Sequence, residues 1–128
     1  MDRYSRLLPV FAGLSGFLAV AAGAFGAHGV QDPAAKGWLE TGGHYQLVHT
    51  AAALACWLVA GQGLPRARLS AWLFLAGALI FSGSLYLLAF GAPRLMGAIT
   101  PIGGLVLLGG WAWLAFAALA RSPGEPVP

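Results

Sequence analysis

The stretch Gly42-Gly43-His44-Tyr45-Gln46-Leu47-Val48-His49 runs polar residues straight into an apolar segment that continues to residue 60, and little else in the chain offers as much side-chain chemistry. Read as the entry of a membrane-spanning helix over 39–60, it places Gln46 and His49 inside the hydrocarbon layer, where polar side chains are costly and are usually paired or functional. Along that helix Gly42, Gln46, His49, Ala53, Cys56 and Ala60 recur at spacings of four and three. Small and polar residues therefore share one stripe, which faces neighbouring helices. Leu47, Leu54 and Leu58 lie off the stripe and suit acyl chains.

The rest of the chain agrees with a membrane protein. Of its 128 residues, 59% are hydrophobic and 9% charged, against roughly 25% charged in soluble domains. Apolar runs of about twenty residues recur, the length that crosses about 30 Å of hydrocarbon. The length allows one domain, and the expected fold class is all-α: a polytopic transmembrane four-helix bundle with helices over 7–27, 39–60, 69–90 and 101–120, and a Pro-rich flexible tail over 122–128. The formal charge of +3 comes from basic residues placed singly at the ends of apolar runs, a pattern of topology signals and not of nucleic-acid binding. Cys56 is the single cysteine, which excludes an internal disulfide and a Cys-rich metal site.

In the first helix Ala12, Gly16, Ala19, Gly23 and Gly26 form a small-residue seam of the kind that lets helix backbones approach in lipid. Arg3 and Arg6 before the apolar run, and Ala22-Gly23-Ala24 late in it, imitate a secretory signal; the run outlasts the usual span of about 7–15 residues and three more spans follow, so a retained first helix is expected. Residues 28–36 read as a loop or short interfacial helix, with Gly29, Asp32 and Pro33 as breakers, and Trp38 and Tyr45 bracket the entry of the second helix. Residues 61–68 form a tight connection, and Gly91 and Pro93 end the third helix. Thr100-Pro101 reads either as an N-cap with Pro in the first turn or as a kink in a helix that begins near Arg94. Gly83, Gly103, Gly104 and Gly110 supply further close-contact positions.

Four spans put Arg3, Arg6, Arg66, Arg68 and Arg121 on one side and Lys36 and Arg94 on the other, so both termini are expected to be cytoplasmic. Helix direction then gathers His28, His44, Tyr45, Gln46, His49, Ser82, Ser84, Tyr86 and Thr100 in the outer half as one polar cluster. The cytoplasmic half carries Trp57, Trp72, glycines and leucines.

Five blocks taken together, Gly23-Ala24-Phe25-Gly26-Ala27-His28, Tyr45-Gln46 with His49, Phe81-Ser82-Gly83-Ser84-Leu85-Tyr86, Thr100-Pro101-Ile102-Gly103-Gly104 and Gly110-Trp111, resemble the YgdD-like small membrane protein family. The resemblance covers nearly the whole chain up to Trp111 and implies a four-helix integral inner-membrane protein of a family found in many bacteria, with relatives in animals. That family is catalogued as a domain of unknown function and brings no activity, substrate or catalytic residue.

Read for chemistry, His49 suits a proton relay, a quinone carbonyl or a metal ligand, or else a hydrogen bond to Ser82, Ser84 or a backbone carbonyl that locks two helices together. His28, His44 and His49 lack the carboxylate or Cys company of a zinc site, and no HExxH or CxxC is present. Ser82 and Ser84 have no carboxylate to orient a histidine, and no nucleophile elbow, phosphate loop or dinucleotide fingerprint occurs. The expectation is therefore no enzyme, no cofactor and no metal. The favoured role is a structural, accessory or assembly partner in the bacterial inner membrane, in contact with the lipid bilayer and with a homo-oligomer or another membrane protein. The alternative is binding or transport of a small molecule, proton or quinone in an outer-half pocket around His49. An open cavity at His49 favours the second role, and a dry, fully bonded cluster the first.

Overall fold

Asp32 and Pro33 start the longest helix: the Asp32 carboxylate accepts a hydrogen bond from the Ala35 amide at 3.0 Å, and Pro33 fills the first turn, where no amide is needed. The second helix therefore begins at Pro33 and not at residue 39. What reads in the sequence as a pair of breakers is a cap. The computed structural model describes residues 4–121. A 3-10 turn (Tyr4–Arg6) precedes α1 (Leu7–His28); α2 (Pro33–Gly61) and α3 (Ala67–Ala89) follow, then a second 3-10 turn (Arg94–Ala98) and α4 (Thr100–Leu119). Pro101 sits in the first turn of α4, so there is no continuous helix kinked at that point. Thr100 does not cap it, because the residue before the helix is Ile99 and no side chain caps that end. The Pro-rich tail lies outside the described residues.

Helices that follow one another in the chain pack together, α2 on α1, α3 on α2 and α4 on α3, with a lighter contact between α1 and α3. The pairs run antiparallel, since Gly26 meets Leu39 while Gly16 meets Thr50, and Phe81 meets Gly103 while Phe74 meets Gly110. Glycines at φ 104° (Gly63) and 92° (Gly91) turn the chain after α2 and after α3. All six stripe residues of α2 are buried, as are Ala12, Ala19 and Gly26 of the α1 seam, while Leu47 and Leu58 are exposed. The main core is built from small residues around Phe74, Leu75 and Leu107, chiefly Ala12, Ala53, Ala67, Ala71 and Ala78. Such a core draws helices close enough for dispersion contacts between backbones.

Outside that core the surface is apolar: Phe17 is 78% and Leu108 65% exposed. Three helices, α1, α3 and α4 with its preceding turn, are long and apolar enough to cross a membrane. The fourth, α2, is not among them, because Lys36, Glu40, His44, Gln46 and His49 all lie on it.

The packing glycines sort themselves by what a side chain would meet. A Cβ on Gly26 would lie 2.8 Å from that of Leu39, one on Gly110 2.7 Å from the Phe74 ring, and one on Gly103 would collide with the Phe81 backbone. Gly16 and Gly104 have only ordinary contacts, at 3.7 and 3.9 Å, and Gly23 and Gly83 face open space. Gly83 is thus not a close-packing position. Gly23 contributes through its backbone, which stands 3.1 Å from where a Cβ on Gly43 would be. Gly42 of the α2 stripe is a crowded position too, as are Gly43 and Gly77, which the sequence reading did not name as packing positions.

Replacing Gly103 by Ala is expected to destabilise the fold by about 1–3 kcal/mol through overpacking. Gly83→Ala should be neutral or mildly stabilising through its higher helix propensity. Thermal unfolding in mild detergent compares the two, and equal midpoints would contradict this packing.

Candidate functional site: a polar network between the helices

Gln46 lies on the buried face of α2, 2% exposed, and reaches two other helices. The Tyr86 hydroxyl on α3 donates to its Oε1 at 2.7 Å, and its Nε2 donates to Ser15 Oγ on α1 at 3.2 Å. Ser15 Oγ in turn shares a hydrogen bond of 2.7 Å with Thr50 Oγ1, back on α2. One amide thus joins α1, α2 and α3. Gly42 makes this reach feasible: the Tyr86 ring lies over it, 2.6 Å from where a Cβ would stand. One turn earlier on α3, Ser82 Oγ donates to the Gly42 carbonyl at 2.6 Å. Ser82 is completely buried, so this bond satisfies a hydroxyl that water cannot reach.

His49 is held on both sides of its ring. Trp111 Nε1 on α4 lies 3.1 Å from Nε2, and Nδ1 lies 2.7 Å from the Tyr45 carbonyl. An indole N–H can only donate and a carbonyl can only accept, so Nε2 is the acceptor and Nδ1 carries the hydrogen. The partner is therefore α4, through Trp111, and not Ser82 or Ser84 of α3. Ser84 instead donates to the Phe81 carbonyl at 2.8 Å and pairs with Thr100 Oγ1 at 2.6 Å, which ties α3 to the start of α4. Phe74, the largest fully buried side chain, packs against both rings, its centroid 5.6 Å from His49 and 4.6 Å from Trp111.

Gln46, His49, Ser82, Ser84, Tyr86 and Thr100 all join this set of ties between helices. His28 and His44 are exposed and stay outside it. Tyr45 makes its hydrogen bond through its carbonyl; the residue is 42% exposed, and its ring stacks on His49 and lies tilted against Phe81, with centroids 6.0 and 4.5 Å apart. Sequence reasoning missed Ser15, Thr50 and Trp111. A signal existed for each: Ser15 is the one hydroxyl side chain within α1, Thr50 adjoins His49, and a Trp inside an apolar helix brings an N–H that needs an acceptor.

The network runs from the Lys36 end of the helices to about their middle. At that end Lys36 Nζ donates to the Ala27 carbonyl at 3.0 Å, covering a free group at the end of α1. At the other end Trp113 Nε1 donates to the Arg66 carbonyl at 2.9 Å. A groove of ≈ 550 Å³ runs beside His49, but Phe81, Pro101, Leu105, Leu108 and Trp111 make it apolar and neither imidazole nitrogen is unoccupied. No group of three or more metal-ligating side chains comes together among the described residues. The arrangement can hold four helices in register; among the described residues it brings no nucleophile to a base.

Comparison with known proteins adds a family. Residues 22–104 match the family described as a protein of unknown function, DUF423. The chain is 50% identical over 106 residues to a UPF0382 membrane protein of Haemophilus influenzae, covering 80% of this chain and 86% of that one. It is 44% identical over 124 residues to the UPF0382 inner membrane protein YgdD of Escherichia coli K12, covering 90% and 91%, and 38% identical over 117 residues to a UPF0382 membrane protein of Staphylococcus epidermidis, covering 89% and 96%. No solved structure matches it at a significant level.

Tyr86→Phe removes one donor from the Gln46 amide and is expected to lower stability by about 0.6–1.7 kcal/mol, the range for hydrogen bonds between membrane helices. Ser70→Ala provides the contrast. Ser70 Oγ is the one buried side-chain polar atom without a partner among the described residues, so losing it should be neutral or stabilising. Selective ¹⁵N labelling of histidine reports the tautomer directly, and a ring protonated at Nε2 would contradict the Trp111 bond.

Proposed function

Because this chain belongs to the DUF423 family, whose bacterial relatives are named UPF0382 membrane proteins, we propose that it is a small non-enzymatic scaffold of the bacterial cytoplasmic membrane. Its role on this reading is that of an accessory or assembly partner for a second copy or another membrane protein. The observation that carries the reading is that four buried polar side chains, Gln46, His49, Ser82 and Ser84, each bond to another helix. Groups engaged in this way hold a shape and leave little for chemistry. Binding or proton transfer at His49 draws no support from this geometry, since a ligand there would have to displace Trp111 or Tyr45.

We also infer four spans with both termini in the cytoplasm. Antiparallel packing of α2 between α1 and α3 supports the fourth span, because a helix placed there crosses whatever its neighbours cross. Its low hydropathy has a local cause: Gln46 and His49 are 2% and 7% exposed and paired, so lipid does not meet them. Arg66, Arg68 and Arg121 at one end against Lys36 and Arg94 at the other support the orientation.

In a Cys56→Ser background, a membrane-impermeant maleimide applied to intact spheroplasts is expected to label Gln31→Cys and Leu95→Cys and to spare Leu64→Cys. Labels on residues 31 and 64 together would overturn the fourth span, and label on 64 alone the orientation. Native mass spectrometry and affinity capture in mild detergent test the scaffold role, with a lone monomer and no partner counting against it.

A further inference from the structure

Although α1 and α3 both flank α2, they touch each other lightly, and between them lies a cleft of ≈ 350 Å³. Its walls are apolar, formed chiefly by Phe11, Leu14, Leu18, Trp72, Leu75 and Leu79. Phe11 and Trp72 meet edge to face in that wall, with centroids 6.0 Å apart at 67°. Its polar lining is Ser15 and Gln46, the same pair that bridges α1 and α2. The Tyr86 hydroxyl holds Oε1, which turns Nε2 towards α1 and the cleft. A primary amide has two N–H donors. One goes to Ser15; the other has no acceptor among the described residues, on a side chain only 2% exposed.

We propose that this cleft binds a membrane-dissolved isoprenoid quinone, one ring carbonyl accepting the second Gln46 N–H and the ring lying against Trp72 and Phe11. The unmet group is a donor, so the ligand must present an acceptor. Ser15 and Gln46 lie near the middle of their helices, a depth that phospholipid esters and charged headgroups do not occupy. No Lys, Arg or His lines the cleft, so a carboxylate has no counter-charge there. A neutral carbonyl on a planar ring with a long apolar tail fits the depth, the donor and the opening between α1 and α3. This site is separate from the scaffold role and from the groove beside His49; it depends on α1 and α3 being embedded in lipid.

The test is tryptophan fluorescence of the full chain in lipid nanodiscs, titrated with decylubiquinone. Saturable quenching is expected, most of it lost in Trp72→Phe. Gln46→Leu removes the donor and should weaken binding about tenfold. Ala76→Phe fills the cleft from an exposed position that makes no hydrogen bond in the network, and should weaken binding at least as much while the protein unfolds at the wild-type temperature. Decylbenzene, with the same tail and no carbonyl, and decanoate, a carboxylate, should both fail to displace the quinone. Absence of saturable quenching, an Ala76→Phe variant that binds normally, or equal displacement by either competitor would overturn the proposal. Loss of protein partners in affinity capture would leave it untouched.

Discussion

A primary amide buried between apolar helices is costly until it is paired, and the placement of three helices follows from where Gln46 finds its partners in the protein. Its oxygen takes the Tyr86 hydroxyl from α3, and its nitrogen gives to Ser15 on α1. The two bonds coexist only when all three helices sit at one rotation and one height. Dispersion between alanine and glycine surfaces brings helices together in lipid without specifying register; a buried amide specifies it, because a slip of one residue leaves donor and acceptor unpaired. Gly42 belongs to the same constraint, since a side chain there would lift the Tyr86 ring away from α2.

The fourth helix is fixed by a different pair of contacts. Trp111 gives its indole hydrogen to His49, and Thr100 pairs with Ser84. These contacts are spaced along α4, so they set its height as well as its rotation, while Gly103 and Gly110 let it approach the Phe81 backbone and the Phe74 ring. Near the opposite end Trp113 reaches the Arg66 carbonyl, and the Arg66 guanidinium lies 3.5 Å from the Ala120 carbonyl. The α4 helix is thus fastened at its start, its middle and its end, whereas among the described residues α1 is tied to α2 at Ser15 and at the Ala27 carbonyl.

Most of this was legible in the sequence where periodicity carried the information. The stripe from Gly42 to Ala60 is buried at every position, and the polar residues Gln46, His49, Ser82, Ser84, Tyr86 and Thr100 do form the ties between helices. Hydrogen-bond partners were harder to foresee, because spacing along one helix says which face a residue occupies and nothing of what stands opposite. For that reason the sequence offers His49 a serine on α3 or a backbone carbonyl, whereas the structure gives it the Tyr45 carbonyl of its own helix and an indole on α4. The start of α2 was misplaced for a local reason: Asp-Pro is read equally well as a break or as a cap with Pro in the first turn, and only the Ala35 amide distinguishes them. Gly83 failed as a packing position because its neighbours Ser82 and Ser84 face inward, which turns it outward. The cleft between α1 and α3 left no trace in periodicity, since a gap is a property of two helices jointly.

The order in which the helices pack has a consequence for biogenesis. Each helix after the first has a large contact with the one synthesised just before it. On the proposed four-span topology, a ribosome feeding such a chain into a translocon releases each later segment beside a partner already in the bilayer. The polar atoms follow the same schedule: Ser15 waits for Gln46, Gln46 for Tyr86, and His49 for Trp111, so the most costly groups are exposed to lipid only until the next helix or two arrives. Assembly then runs forward with translation, and no late segment has to pry apart an early one.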